Sequence, residues 1–280
     1  MSVKIIVDST TDLSPEITDK VTVVPITICF GSTAYTDGID ITNKEFYEKL
    51  IENDVLPTTS QPSPDLFEKA FREIKDNGDT AVVITISSNL SGTLQSANIA
   101  LEAYEDIINI VDSGSVAIGA GILVEYALKL VDEGKTATEI AHELNNIKDK
   151  IYLVALLDTL EYLKKGGRIS ATAAIAGSFL SIKPVINVVD GIINTLGKAR
   201  GSKQGNNLLV KEIENAGGVD FSKPVLLGYT GLSDVLLKKY IEDSGYLWEG
   251  SLNSLNTTII GSAIGVHAGP GAVAVAFFKK

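Results

Sequence analysis

Ala81 to Ala97 reads "AVVITISSNLSGTLQSA", and it packs a strand, a turn and the start of a helix into one short stretch. The run from Ala81 to Ile86 is apolar or β-branched at nearly every position. Strict alternation would mark a strand with one wet face, whereas a continuous apolar run suits a strand covered on both faces, as in a parallel sheet flanked by helices. Serines and Gly92 then break the run. Leu94, Ala97, Leu101 and Tyr104 recur at helical spacing, so Ser91 is placed at a helix N-terminus.

The same signature recurs in "KIIVDST" (Lys4 to Thr10), "IINIVDS" (Ile107 to Ser113) and "IYLVALLDT" (Ile151 to Thr159). Strands alternating with helices predict an α/β fold. Helix starts agree with this. "TNKE" from Thr42, "TATE" from Thr136 and "DTLE" from Asp158 each set an N-cap acceptor three residues before a glutamate. In "SPDLFEKAFREI", Ser63 reads as an N-cap and Pro64 as the first turn, with Leu66, Phe67, Ala70, Phe71 and Ile74 on one face.

The second half has a different texture. "VINVVDGIINTLGKAR" sets Asp190 and Gly191 between two β-rich runs, a strong hairpin signal. "PVLLGYTG" and "TTIIGSAIGVHAGPGAVAVAFFK" add strands around helical "GNNLLVKEIENAG" and "SDVLLKKYIEDSG". The expected organisation is an N-terminal parallel-sheet domain over residues 1–149 and a C-terminal domain with a mixed sheet over 150–280, consistent with a length of 280 residues.

Composition narrows the function classes. A formal net charge of −11 disfavours nucleic acid or an anionic membrane surface as a standing partner. The single Cys29 lies in an apolar run, which excludes an intrachain disulfide framework or a thiolate metal site and reads as a buried, inert thiol. No apolar stretch approaches the ~18 residues of a membrane span, and "MSVKIIVDST" lacks the apolar core of a signal peptide, so a soluble cytoplasmic protein is expected.

Ligands of open α/β sheets sit beyond the carboxyl ends of the strands, where this chain carries Asp8 and Ser9, Ser87 and Ser88, Asp112 and Ser113, and Asp158 and Thr159. Taken singly, each also fits a cap or turn. Ser91 at a helix N-terminus fits an anion site, with Gly92 permitting close approach, and fits a structural cap equally well. His267, between two strand-like runs and beside a Gly-Pro-Gly turn, fits either a backbone-satisfied histidine or one that bonds a carboxylate or orients a hydroxyl. Lys164 and Lys165 suit the end of a helix closed by Gly166, while Arg168 beyond the double glycine and Arg200 in "GKARGSK" can meet a carboxylate or phosphate bidentately.

"PTTSQPSPDLF" (Pro57 to Phe67) restricts several hydroxyls between prolines, so Thr59 is expected to be held in one direction, with Thr58, Ser60 and Gln61 around it. "GKAR" fails the Walker pattern, "GAGILV" lacks the third glycine of a dinucleotide fingerprint, and there is no G-x-S-x-G elbow. His142 reads as a surface residue.

"DSTTDL" from Asp8, "TTSQPSP" from Thr58, "SSNLSGTLQSA" from Ser87, "LEYLKKGGRIS" from Leu160, "IKPVI" from Ile182, "GKAR" from Gly197 and "GVHAGPGAVAVAF" from Gly265 together resemble the DegV family, in the family's order and over nearly the whole chain. The resemblance implies a two-domain α/β protein with a long-chain fatty acid, such as palmitate, in a tunnel between its domains. It implies the fatty-acid-binding subunit of a bacterial fatty acid kinase, which presents the acyl carboxylate to a separate ATP-binding subunit and carries the acyl phosphate toward phospholipid synthesis, with transient membrane contact. No metal, no other cofactor, no catalytic residue and no nucleic acid partner belong to that reading.

Carried over residue by residue, the resemblance assigns Thr59, Ser91 and His267 to the carboxylate and Arg168 and Arg200 to the kinase or the phosphate. Ser60, Gln61, Gly92 and Thr93 surround them. "SATAAIAGSFL" after Ser170 departs from a more basic continuation in some relatives, and Ala171 to Ile182 suits an acyl channel or an ordinary buried helix. Two other classes stay open: a metal-assisted phosphoryl-transfer enzyme built on Asp8, Asp112 and Asp158, and a lipid transport or regulatory module.

Overall fold

The computed structural model describes residues 2–53, 55–169, 182–250 and 255–280. In chain order the elements are β1 (Val3–Asp8), β2 (Val21–Val24), β3 (Thr27–Phe30), β4 (Thr33–Thr36), α1 (Asn43–Glu52), β5 (Thr58–Ser60), α2 (Pro64–Asp76), β6 (Thr80–Thr85), α3 (Thr93–Leu101), β7 (Ile108–Asp112), α4 (Ile118–Asp132) and α5 (Ala137–Ile147). They continue as β8 (Ile151–Leu156), α6 (Glu161–Lys165), β9 (Ile182–Val189), β10 (Ile192–Arg200), α7 (Gly201–Asn215), β11 (Leu226–Tyr229), α8 (Val235–Asp243), β12 (Asn256–Ile259), α9 (Ser262–Ala268) and β13 (Val273–Phe278).

Among the described residues three sheets form. The first has four strands in the order β2-β1-β6-β7, all parallel. The second has six strands in the order β10-β9-β8-β13-β11-β12, with only β11 and β12 parallel. A small antiparallel sheet, β4-β3-β5, lies apart. The fold is α/β with one parallel and one mixed sheet, as the alternation of runs predicts.

The two larger sheets share a core through α4. Every residue of "IGAGILV" in α4 is buried, and a helix segment apolar all round must be covered on all sides. Ile118, Ile122 and Leu123 pack with Ile5, Val7 and Ile84 of the parallel sheet and with Leu153, Leu226 and Ala274 of the mixed one. Strand β13 shows the two-residue period that makes this arrangement work. Ala274, Ala276 and Phe278 face α4, while Val273, Val275 and Phe277 face Leu209 and Ile213 of α7 and Trp248. On the outer face of the parallel sheet, Phe67, Phe71 and Ile74 of α2 cover Ile6 and Val83.

Local signals are met unevenly. Thr42 with Glu45 and Thr136 with Glu139 form reciprocal capping boxes on α1 and α5. Asp190 and Gly191 turn the β9–β10 hairpin with φ of 52° and 69°, the left-handed pair that a two-residue turn between twisted strands requires. Asp158 is not the cap of α6: its carboxylate pairs with Lys183, and the Thr159 hydroxyl accepts from Glu161 N at 3.2 Å instead. Ser63 occupies the N-cap position of α2 without a side-chain bond, the turn being set by Pro64. Cys29 is half-buried in β3 rather than fully enclosed. His267 lies between two strands, as its flanking runs suggest, but not in an extended segment. It sits on the short helix α9, because "SAIGVHA" is folded between β12 and β13.

The channel suggested at Ala171 to Ile182 falls, but for Ile182, outside the described residues. Among the described residues no helix is long and apolar enough to cross a membrane.

Candidate functional site

Thr59 is positioned by strand pairing rather than by its prolines alone. It is the central residue of β5 and lies opposite Ile28 of β3, a fully buried residue. Thr58 and Ser60 on either side are exposed, so the period of the strand turns Thr59 inward. There its Oγ1 lies 3.0 Å from His267 Nε2.

His267 is placed by α9, which is capped from residues far away in sequence. Asp12 Oδ1 accepts from Gly261 N at 2.7 Å, and Asn43 Oδ1 accepts from Ser262 N at 3.0 Å and from its hydroxyl at 2.9 Å. Burial raises the Asp12 carboxyl well above the usual carboxylate range, and the nearby Asp37 and Asp8 raise it further. The sequence showed Asp12 only as part of "DSTTDL". Nothing in the spacing signals a cap on a helix 249 residues away.

Ser91 lies in the turn between β6 and α3. Its hydroxyl is 2.9 Å from Thr93 Oγ1 and accepts from Thr93 N at 3.3 Å, with Gly92 at the N-cap position. Gly92 serves a neighbour: a side chain there would overlap the amide of Gln61, which itself donates to Ser96 Oγ at 2.9 Å. Arg168 crosses to the same turn. Its Nε donates to Leu90 O at 3.2 Å and its Nη1 to Gly166 O at 2.6 Å.

Thr59, Ser91, Arg168 and His267 line one cavity of about 880 Å³ of non-atom space, part of it open to solvent. The rest of the wall is aliphatic apart from Thr10, with Ile26 and Ile86 from the first half and Leu153, Ile186, Val188 and Ile193 from the second. The cavity therefore lies between the parallel and mixed sheets, and a few polar side chains in a mostly apolar lining are the composition of a ligand site. Thr59, Arg168 and His267 also border an outer depression lined by Leu56, Pro57, Tyr162 and Lys165. These three side chains border both spaces.

The His267 ring is neutral at physiological pH. Burial comes first and the Arg168 guanidinium second in lowering its pKa to about 4. Its Nδ1 has no hydrogen-bond partner among the described residues.

Of the residues expected to surround the site, Thr93 touches Ser91 and Gln61 rests on Gly92, whereas Ser60 is exposed on the other face of β5. Arg200 is not brought to the cluster. It is exposed at the start of α7, its backbone N bonded to Gln204 Oε1 at 2.6 Å. Asp8, Asp112 and Asp158 do not converge either. Asp8 is buried and binds Thr10 and Ile86 N, Asp112 binds Ser88 and Gly114, and Asp158 pairs with Lys183. Among the described residues no group of three His, Cys, Asp or Glu side chains has metal-binding proximity. His142 is exposed on α5.

The family model described as "Uncharacterised protein, DegV family" matches residues 2–280. The chain belongs to the DegV family. A DegV domain-containing protein of Clostridium perfringens is 32% identical over 281 residues, covering 99% of each chain. Among solved structures, a DegV family protein from Thermus thermophilus described as fatty-acid-binding superposes with a TM-score of 0.87 at 30% identity, covering 99% of this chain and 100% of that one. A stearic-acid-binding protein from Eubacterium ventriosum gives a TM-score of 0.87 at 29% identity, covering 100% of this chain and 99% of that one. The DegV fold of this chain is thus matched along its whole length, both sheets included.

Proposed function

We propose that this DegV protein holds one long-chain fatty acid, such as palmitate, between its two lobes, taken as residues 1–149 and 150–280. The acyl chain lies along the aliphatic wall and the carboxylate meets Thr59, Ser91 and His267. The observation that carries this reading is that Thr59, Ser91, Arg168 and His267 line a cavity whose remaining wall is aliphatic apart from Thr10, with Thr59 Oγ1 and His267 Nε2 3.0 Å apart. The fatty-acid-binding relatives at 30% and 29% identity support it.

The tail supplies the affinity. Each buried methylene contributes about 0.8 kcal/mol, so the head group needs only to fix orientation. Hydroxyl donors suit that task, since they hold a carboxylate in place while leaving one oxygen able to attack a phosphoryl group.

The outer depression gives that oxygen a route outward, and we place there the approach of a separate ATP-binding kinase subunit. In that step a carboxylate oxygen bonds to the γ-phosphorus of ATP, the bond from that phosphorus to the β-γ bridging oxygen breaks, and ADP leaves. The chain then carries the acyl phosphate to a membrane enzyme of phospholipid synthesis by transient contact. In this reading it is a cytoplasmic carrier rather than an enzyme, and Arg168 and Lys165 are the cations that border the route of the new phosphate.

Native mass spectrometry of purified protein, followed by lipid extraction, tests the proposal. The expected result is one acyl chain per protein molecule. Protein that carries no fatty acid and takes up none when palmitate is offered overturns it.

A further inference from the structure

The two nitrogens of the His267 ring have opposite surroundings. Nε2 faces Thr59 Oγ1 at 3.0 Å, while Nδ1 is shielded from solvent and meets no partner among the described residues. What stands against Nδ1 is Gly166, where an added methyl group would overlap Nδ1 and the neighbouring Cε1. Gly166 has φ of −73° and ψ of −9°, a conformation open to any residue. Glycine is needed here for space and not for backbone freedom. Its carbonyl is already engaged by Arg168 Nη1 at 2.6 Å, so it also anchors the guanidinium beside the ring.

A neutral imidazole carries one N–H and one bare nitrogen. A proton on Nδ1 would be a buried donor with no acceptor, whereas a proton on Nε2 has the Thr59 oxygen in front of it. Burial and the adjacent Arg168 keep the ring from taking a second proton. The other titratable side chains bordering this space are Lys165 and Tyr162.

We propose that Gly166 is a positioning residue that seats the His267 ring so that Nε2 carries the proton and donates it to Thr59 Oγ1, leaving the Thr59 hydroxyl to donate into the cavity. The direction of this relay matters because an ionised carboxylate only accepts hydrogen bonds. With the opposite tautomer, Thr59 would donate to Nε2 and turn its lone pairs toward the anion. The choice of carboxylate as acceptor rests on the function proposed above. The tautomer and the seat formed by Gly166 do not.

The test uses ligand-free protein labelled with ¹⁵N-histidine at pH 7, with correlations from the ring carbon protons separating the two nitrogens of each ring. The exposed His142 supplies the internal reference. His267 is expected to show a protonated Nε2 and a bare Nδ1, and a protonated Nδ1 or a doubly protonated ring overturns the proposal. In Gly166→Ala the displaced ring should lose that pattern, and the affinity for palmitate should fall by about tenfold or more. Gly167→Ala introduces a side chain at φ +72° into open space, so it strains the backbone without touching the ring and should keep both the tautomer and the affinity.

A Gly166→Ala protein with the wild-type tautomer and affinity overturns the positioning role. Wild-type protein that binds no palmitate overturns the fatty-acid reading, while its ring spectrum still decides the tautomer.

Discussion

Thr59 Oγ1 and His267 Nε2 lie 3.0 Å apart across 208 residues of sequence. The threonine comes from the small sheet β4-β3-β5 and the histidine from a short helix between two strands of the mixed sheet. Their meeting closes one border of the cavity, so substitution of either should affect the head group of the ligand more than its tail.

Thr59→Val keeps the shape of the side chain and removes its hydrogen bonds. Fatty-acid affinity should fall by about one to two orders of magnitude, as expected for losing a hydrogen bond to a charged group. Ser91→Ala should act in the same direction. Titration with a fluorescent fatty acid measures both, and acyl-phosphate yield with a cognate kinase should fall further than binding does.

His267 sets a pH dependence whose sign follows from its lowered pKa. The folded ring titrates near 4 against an ordinary value of 6.5, so the unfolded chain binds the extra proton first as pH falls. Its contribution to stability is complete above pH 6.5 and is lost as pH drops toward 4. The buried Asp8, Asp12 and Asp37 have raised pKa values and oppose this trend, so the informative quantity is a difference between two proteins. Between pH 7 and 4, His267→Gln should gain on the wild type by an amount on the order of 2 to 3 kcal/mol in urea unfolding.

Asp12 is expected to matter as an acceptor rather than as a charge. Asp12→Asn keeps an oxygen for Gly261 N while removing a carboxyl that burial disfavours, and should leave the melting temperature close to wild type. Asp12→Ala uncaps α9 and should destabilise the fold by about 1 to 2 kcal/mol. Calorimetry separates the two, and the alanine variant should also bind palmitate less tightly because α9 carries His267.

Gly191→Ala places a side chain at φ +69° and against Ser87 Oγ, on a hairpin tip already tied to the Ser91 turn by Asn89 Nδ2 donating to Asp190 O at 2.9 Å. The left-handed conformation alone costs about 1 to 2 kcal/mol. A drop of several degrees in melting temperature is expected. Because β9 and β10 contribute Ile186, Val188 and Ile193 to the cavity, acyl affinity should fall with it.

The parts of the fold that sequence reveals are those with local causes. Continuous apolar runs mark β1, β6, β7 and β8, capping boxes mark α1 and α5, and Asp-Gly marks the hairpin. Elements set by distant partners are silent. Strand β5 exists because β3 offers it an edge, and α9 is a helix within a stretch as rich in β-branched and glycine residues as its neighbours, held by Asp12 and Asn43 from the other half of the chain. Ser91 and His267 each carry an ordinary structural reading when taken singly, and nothing in the spacing joins them to Thr59 or Arg168. Only the folded chain shows that they line one cavity, and that Arg200, from an equally suggestive motif, does not.

The most direct measurement is a crystal structure of the protein loaded with palmitate. The account predicts the carboxylate within hydrogen-bonding distance of Thr59 Oγ1 and Ser91 Oγ, with the acyl chain running between the parallel and mixed sheets past Ile186 and Val188. A carboxylate bound away from those hydroxyls, or a chain lying in the outer depression with the inner cavity filled by side chains, would contradict it.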